Sequence, residues 1–335
     1  MTKTRLEYID ALKFLAILGI VFIHVSAIWP DAEILHINIR NTTQLLRWGV
    51  PVFVMISGAL LLNREMDLKS FFKKRFVRVF YPMIFFIIIS DILTGSFDFL
   101  TAYWYCWMIL GAFLAIPIIN KFILNSTDEE IKYYVYIFLI ASFIYQVAYA
   151  FNIRFALDIN FFITPVSYLV LGYYLSKKEF AHPNWTILIA IILFLITSVI
   201  KYRTGSFMHF YAHDVFSSRL DIGIVQIIQA SCIFIIVKLI YSENINVVFS
   251  KIKGFLQINA VSKFILSVSR ASYGMYLIQF FYRDYAEIVL SKFSLTGSQV
   301  FGCFMVLSVV VFLISWISIL ILSRIPFINK FSGYA

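Results

Sequence analysis

Charged side chains are scarce in this chain of 335 residues, at 14% against the roughly 25% of an ordinary soluble domain. Apolar side chains make up 61% of the residues, and a water-soluble fold of this size has too little interior to hide so many. A soluble globular protein is therefore excluded. We expect a lipid bilayer to be the solvent for most of the chain.

Cysteine is also scarce. Its three copies, Cys106, Cys232 and Cys303, each stand inside an apolar run without metal-ligand spacing. This pattern argues against a disulfide framework and predicts small buried side chains. His209 and His213 are four residues apart, but no glutamate stands beside them, and we predict no metal centre.

Acidic residues are fewer than basic ones, 18 against 28, which gives a net charge of +10. Such a balance can indicate a nucleic-acid partner. Here the basic side chains stand in short loops between apolar runs, where they set membrane topology. We therefore expect a bilayer and no nucleic acid. Their excess on the side of the N-terminus predicts two cytoplasmic termini and an even number of crossings.

Apolar runs fill most of the chain, and a bilayer core of about 30 Å needs roughly 20 apolar residues per helix. The first run is expected to be a retained helix and not a cleaved signal peptide, because Asp10 and Lys13 interrupt its start. We predict an all-α integral membrane protein, a single domain over residues 1–335 with one bundle of about ten transmembrane helices. The runs are residues 8–29, 44–62, 77–95, 103–122, 132–151, 160–176, 185–201, 219–241, 264–282 and 299–323.

Three polar residues interrupt the first run, and polar groups inside a membrane are costly. Asp10 and Lys13 are three residues apart and can pair on one helix face. His24 follows Lys13 by eleven residues, about 16 Å of helix, on the same side. An imidazole suits a general base that takes a proton from a hydroxyl group. The alternative for Lys13 is a side chain that extends its ammonium group to the membrane surface. The alternative for His24 is a hydrogen bond to a neighbouring helix.

A basic cluster, Lys74, Arg75 and Arg78, stands at the start of the third run. Its spacing of three and four residues lets the side chains line one helix face. Arginine forks fit phosphate oxygens in pairs, so the cluster is a candidate phosphate site. Anchoring on anionic lipid is the alternative.

Polar residues in two other runs are candidates for lining a pocket. Ser57 offers a hydroxyl group next to Gly58, a residue that lets helices approach closely. Tyr276 and Gln279 share a helix face with Tyr273. Helix packing alone is the alternative explanation for all of them.

Together these motifs resemble the membrane acyltransferase family 3, over nearly the whole chain. Two positions depart from the family's pattern: Lys13 stands where arginine is frequent, and Gln279 stands where histidine is often found and so cannot act as a second base. The resemblance rests on Lys13 and His24 with Asp10 before them, residues 51–58, Arg75 and Arg78 followed by Pro82, the aromatic segment 103–107 with Trp104, and residues 272–278.

The resemblance implies an O-acyltransferase in a bacterial inner membrane, of the short, stand-alone kind that modifies surface polysaccharide or its lipid-linked precursor. It implies acyl-CoA as donor substrate, most simply acetyl-CoA, and no metal. A transporter or flippase for a lipid-linked saccharide is the alternative, and it would need no acyl donor. The acceptor, the length of the acyl group and the oligomeric state are left open by the sequence.

The resemblance also assigns roles to the candidate residues. His24 would be the general base or a transient acyl carrier, with Lys13 beside the acyl arm and Asp10 holding Lys13. The phosphates of CoA would be held by Arg75, Arg78 and Lys74. Ser57 or Tyr276 would orient the thioester carbonyl, and Gln279 and Trp104 would line the pocket.

Overall fold

Helices dominate the protein. The computed structural model describes residues 6–29, 33–34, 37–94, 103–151, 153, 157–204, 221–295 and 297–335. Within these ranges the strands are β1 (Glu33–Ile34) and β2 (Ile37–Asn38), which form a two-residue antiparallel pair. The α-helices are α1 (Glu7–Ser26), α2 (Ile39–Gln44), α3 (Gly49–Leu61), α4 (Leu68–Thr94), α5 (Trp104–Asn125), α6 (Asp128–Ala150), α7 (Pro165–Lys177), α8 (Pro183–Thr204), α9 (Ile224–Ile240), α10 (Val247–Leu256), α11 (Asn259–Leu290) and α12 (Gly297–Leu322).

Several helices have the length and composition of membrane spans, so the prediction of an α-helical membrane protein is confirmed at this level. Each of the predicted apolar runs contains a helix. In the described part of the chain, five helices contain a segment that is long and apolar enough to cross a membrane. They are α1, α5, α6, α8 and α12. The bundle of ten crossings and the cytoplasmic termini stay predictions.

Helix boundaries differ from the predicted runs at several places. Helices α3 and α7 hold 13 residues each, about 20 Å of rise, which is short of a bilayer core of about 30 Å. Helix α4 begins at Leu68, well before its apolar run, so the basic cluster lies inside a regular helix. The predicted loop between residues 242 and 263 contains the helix α10.

The start of α4 is fixed by a side-chain cap. The carboxylate of Asp67 accepts a hydrogen bond of 2.8 Å from the backbone N–H of Ser70. This bond satisfies a donor that the first helical turn would otherwise leave open. The same bond lowers the pKa of the Asp67 carboxyl.

The chain divides into two compact units. Unit 1 comprises residues Met1–Ala16, Trp48–Met66 and Gly111–Leu266, and unit 2 comprises Ile17–Arg47, Asp67–Leu110 and Ser267–Ala335. The helices α1, α5 and α11 contribute residues to both units.

Unit 1 is built on closely packed helices. Gly58 of α3 and Gly172 of α7 lie directly against the backbone of the other helix. The hydroxyl groups of Tyr134 in α6 and Ser167 in α7 are 3.0 Å apart and share a hydrogen bond. Helices α8 and α9 also pack together in this unit. The hydrophobic effect does not drive helices together inside a bilayer. Close packing at small residues and buried hydrogen bonds therefore hold these helices together.

Unit 2 contains α4, α12 and most of α11, and the C-terminal segment packs on two of them. The ring of Phe331 stacks against Tyr81 and Phe85 of α4, with centroid distances of 6.1 and 5.7 Å. Gly333 has a positive φ of 71° and lies against Gly274 of α11. The C-terminal segment thus contacts both α4 and α11 within unit 2.

Candidate active site

His24, near the end of α1, points at other side chains of unit 2. Its ring centroid lies 4.7 Å from that of Phe280 and 6.1 Å from that of Tyr276, both on α11. The residue is half-buried, and its Nδ1 atom is shielded from solvent. The imidazole is therefore held against protein on one side.

Polar and charged groups of unit 2 complete the surroundings of this ring. The carboxamide of Gln279 interacts with the imidazole, and the guanidinium groups of Arg283 and Arg47 act on it electrostatically. The guanidinium of Arg283 also lies over the ring of Phe280, 5.2 Å from its centroid, and pairs with the carboxylate of Asp284. The ring of Phe280 thus contacts both His24 and Arg283.

Two tyrosines at the start of α5, Tyr105 within the helix and Tyr103 just before it, pack against these residues. The ring of Tyr103 meets Phe280 edge-on at 5.6 Å, and the ring of Tyr105 meets Tyr276 at 5.3 Å. The hydroxyl of Tyr103 donates a hydrogen bond of 3.4 Å to the carbonyl of Leu277. Edge-to-face ring pairs are favoured geometrically and fix the position of the α11 residues that face His24.

Two polar atoms in this cluster are buried and have no hydrogen-bond partner among the described residues. They are Nδ1 of His24 and Oε1 of Gln279. Native proteins pair most of their buried polar atoms, so each exception calls for a reason.

A short series of contacts in unit 2 connects this cluster with the basic residues of α4. The hydroxyl of Tyr273 donates a hydrogen bond of 2.7 Å to the carbonyl of Val79, the residue after Arg78. Its oxygen also lies 3.4 Å from Sγ of Cys106. Tyr273 precedes Tyr276 by three residues, about 4.5 Å along α11. Helix α11 thus contacts both the residue next to Arg78 on α4 and the imidazole of His24.

The basic cluster itself lies on the first turns of α4. Lys74 and Arg78 are exposed, and Arg75 is half-buried. All three lie within the helix, where positions three and four residues apart are neighbours on one face. Such a face can hold an anion with several phosphate oxygens.

The comparison with known families decides the class of the protein. The family model described as "Acyltransferase domain" (acyltransferase 3) matches residues 6–321. The chain belongs to the acyltransferase-3 family. This confirms the resemblance drawn from the sequence motifs. No curated protein and no solved structure matches the chain.

Four further residues of this acyltransferase were predicted to belong to the site: Asp10, Lys13, Ser57 and Trp104. Asp10 and Lys13 belong to unit 1, and their part in the chemistry stays a prediction. Ser57 also belongs to unit 1, and its hydroxyl donates to the carbonyl of Phe53 at 3.1 Å within α3. Trp104 is half-buried, with its ring 6.3 Å from that of Tyr105.

Metal-binding residues do not gather in the part of the acyltransferase that the structure describes, where no group of three or more candidate ligands is found. His209 and His213 lie outside the described residues. The three cysteines are free thiols; Cys106 and Cys232 are buried, and Cys303 is half-buried.

Some residues around His24 were not predicted. Phe280 and Arg283 follow Tyr276 by four and seven residues, which is the spacing of one helix face, so extending that face by two turns would have found them. Arg47 and the contacts of Tyr103 and Tyr105 carry no comparable signal, because they depend on how separate helices pack.

Proposed function

We propose that this acyltransferase moves an acyl group, most simply acetyl, from acyl-CoA to a sugar hydroxyl of a surface polysaccharide or its lipid-linked precursor. The observation that carries the proposal is His24, whose imidazole is enclosed by Tyr276, Phe280 and Gln279 within a membrane helix. An ionisable side chain in such a place is costly and is usually functional. Membership of the acyltransferase-3 family supports acyl transfer as the reaction class.

His24 is the general base of the proposed reaction. One ring nitrogen takes the proton of the acceptor hydroxyl as its oxygen attacks the thioester carbonyl. The carbon–sulfur bond then breaks, an ester forms on the sugar, and the thiolate of CoA leaves with the proton from the imidazolium. Each proton and each bond is accounted for without a metal.

Arg75, Arg78 and Lys74 form the donor-binding part of the proposal. Three cations on one face of α4 fit the phosphates of CoA, since guanidinium groups bind phosphate oxygens in pairs. The contact of Tyr273 with Val79 supports a donor site near His24, because it ties this part of α4 to the helix that faces the imidazole.

The membrane setting is part of the same proposal. We infer ten crossings in a bacterial inner membrane with both termini in the cytoplasm, because the basic loops concentrate on the side of the N-terminus. On this topology the α4 cluster faces the cytoplasm, where acyl-CoA is made. The acyl group would then travel outward along the protein to His24.

The proposal is tested with purified protein in lipid nanodiscs. The protein is incubated with acetyl-CoA labelled on the acetyl group and with O-deacetylated envelope polysaccharide. We expect release of CoA thiol together with label that mild alkali removes from the polysaccharide, as an ester requires. We also expect acetyl-CoA alone to raise the unfolding temperature, since a ligand that binds the native state stabilises it. If neither thiol release nor stabilisation is observed, the result contradicts an acyl-CoA donor and favours transport of a saccharide.

A further inference from the structure

Gln279 faces His24 with an amide group whose orientation is fixed from the other side. Its Nε2 atom donates a hydrogen bond of 3.0 Å to the backbone carbonyl of Tyr276. A carbonyl only accepts hydrogen bonds, so the NH₂ end of the amide must occupy that position. The amide oxygen Oε1 consequently has to point away from the Tyr276 carbonyl.

Two unpartnered atoms lie at this junction. Oε1 of Gln279 is buried without a hydrogen-bond partner among the described residues, and so is Nδ1 of His24. The two side chains interact, and the residue Gln279 is only 1% exposed. A buried polar atom left unpaired costs about 1–3 kcal/mol, and these two atoms are a matching acceptor and donor if Nδ1 carries a hydrogen.

We propose that Gln279 is the positioning residue of His24, with Oε1 accepting a hydrogen bond from Nδ1–H so that Nε2 is left as the base. The proposal rests on the proposed function, because it assigns a role within the same reaction. An amide oxygen can only accept, so it selects one of the two neutral forms of the ring. The choice of tautomer decides which nitrogen can receive the proton of the acceptor.

The packing around the two residues supports a fixed ring and not a mobile one. The ring of Phe280 lies 4.7 Å from the imidazole and is met edge-on by Tyr103, the residue before α5. Tyr276, whose carbonyl holds the Gln279 amide, is itself met edge-on by Tyr105 of α5. The two residues that set the position of Gln279 and His24 are therefore each packed against a tyrosine from the start of α5.

Two substitutions separate positioning from packing. Gln279→Met has nearly the same shape but no acceptor, and Gln279→Glu keeps an acceptor oxygen. We expect Gln279→Met to lower kcat about a hundredfold, with the KM for acetyl-CoA and the unfolding temperature unchanged. Gln279→Glu should keep kcat within about tenfold of the wild type. A Gln279→Met enzyme with wild-type kcat would overturn the proposal, as would equal losses in both variants.

A spectroscopic readout tests the tautomer without any turnover. Protein labelled with ¹⁵N in its histidine rings is studied by solid-state NMR in nanodiscs, and the His24 signals are those that disappear in His24→Gln. We expect a protonated Nδ1 and an unprotonated Nε2, with the two forms mixed in Gln279→Met. An unprotonated Nδ1 in the wild type would refute the inference, whereas a wild type that transfers no acetyl group but shows this tautomer would refute only the proposed function.

Discussion

Gly58 of α3 lies so close to Leu169 of α7 that a methyl group added to it would overlap the carbonyl group of Leu169. The relationship is reciprocal, because a methyl group on Gly172 of α7 would overlap the backbone of Met55. Small residues of this kind let membrane helices meet backbone to backbone. The two 13-residue helices are thereby locked together within unit 1.

Replacing either glycine by alanine should destabilise the protein. Overpacking costs about 1–3 kcal/mol, and here the obstacle is backbone that cannot rotate away. We expect Gly58→Ala and Gly172→Ala to lower the temperature of thermal unfolding in detergent. Gly111→Ala is the matched control, since a methyl group there meets nothing within 4 Å. Equal unfolding temperatures for Gly58→Ala and Gly111→Ala would contradict the close packing.

The ion pair of Lys201 and Asp221 gives a second prediction for unit 1. The ammonium and the carboxylate are 3.5 Å apart, with side-chain exposures of 0% and 4%, and Lys201 also donates to Gln226. Removal of Lys201 leaves the Asp221 carboxylate buried without its cation, which costs about 3–5 kcal/mol. Lys201→Met should therefore lower the free energy of unfolding by about that amount.

Two further variants complete this experiment. Lys201→Met combined with Asp221→Asn removes both charges and should recover part of the loss. Lys132→Met breaks an exposed pair with Glu129 and should leave the unfolding temperature unchanged. If Lys201→Met were as stable as Lys132→Met, the buried ion pair would make no contribution to the free energy of unfolding.

Hydropathy located the helices well and their ends poorly. The predicted run 44–62 overestimates α3 at its start, because the helix begins only at Gly49, whereas its end at Leu61 agrees with the run to within one residue. The same criterion missed the first turns of α4, because charged side chains there hide a helix that Asp67 caps. Helical periodicity and capping residues indicate where a helix begins and ends. A count of apolar residues indicates only which segments are surrounded by lipid or protein.

The candidate site was predicted where the signal lies within one helix. His24, Tyr276 and Gln279 were found from the cost of polar groups in apolar runs, and the structure brings all three together. The contacts of Tyr103 and Tyr105 with α11 could not be predicted. They depend on the rotation of one helix against another, which no spacing in a single sequence determines.

The proposed donor site predicts a selective loss of affinity. Arg75→Gln and Arg78→Gln should each weaken the binding of acetyl-CoA about tenfold, the worth of a hydrogen bond between charged groups. The rate at saturating donor should change little, because neither side chain takes part in the proton transfer. Equilibrium binding to protein in nanodiscs measures the effect.

The control for this experiment is Lys251→Gln, which removes an exposed cation on α10. It should leave the affinity for acetyl-CoA unchanged, and so separates a specific site from general attraction by the net positive charge. If all three variants bind acetyl-CoA as the wild type does, the α4 cluster is not the donor site.

The most direct test of the catalytic assignment is the turnover of His24→Ala and His24→Gln with acetyl-CoA and O-deacetylated polysaccharide, next to His182→Gln as a control at an exposed histidine. We predict that both His24 variants fold, bind acetyl-CoA with wild-type affinity and lose at least about a hundredfold in kcat, while His182→Gln keeps full activity. A folded His24→Ala enzyme with wild-type kcat would contradict the assignment of this imidazole as the base.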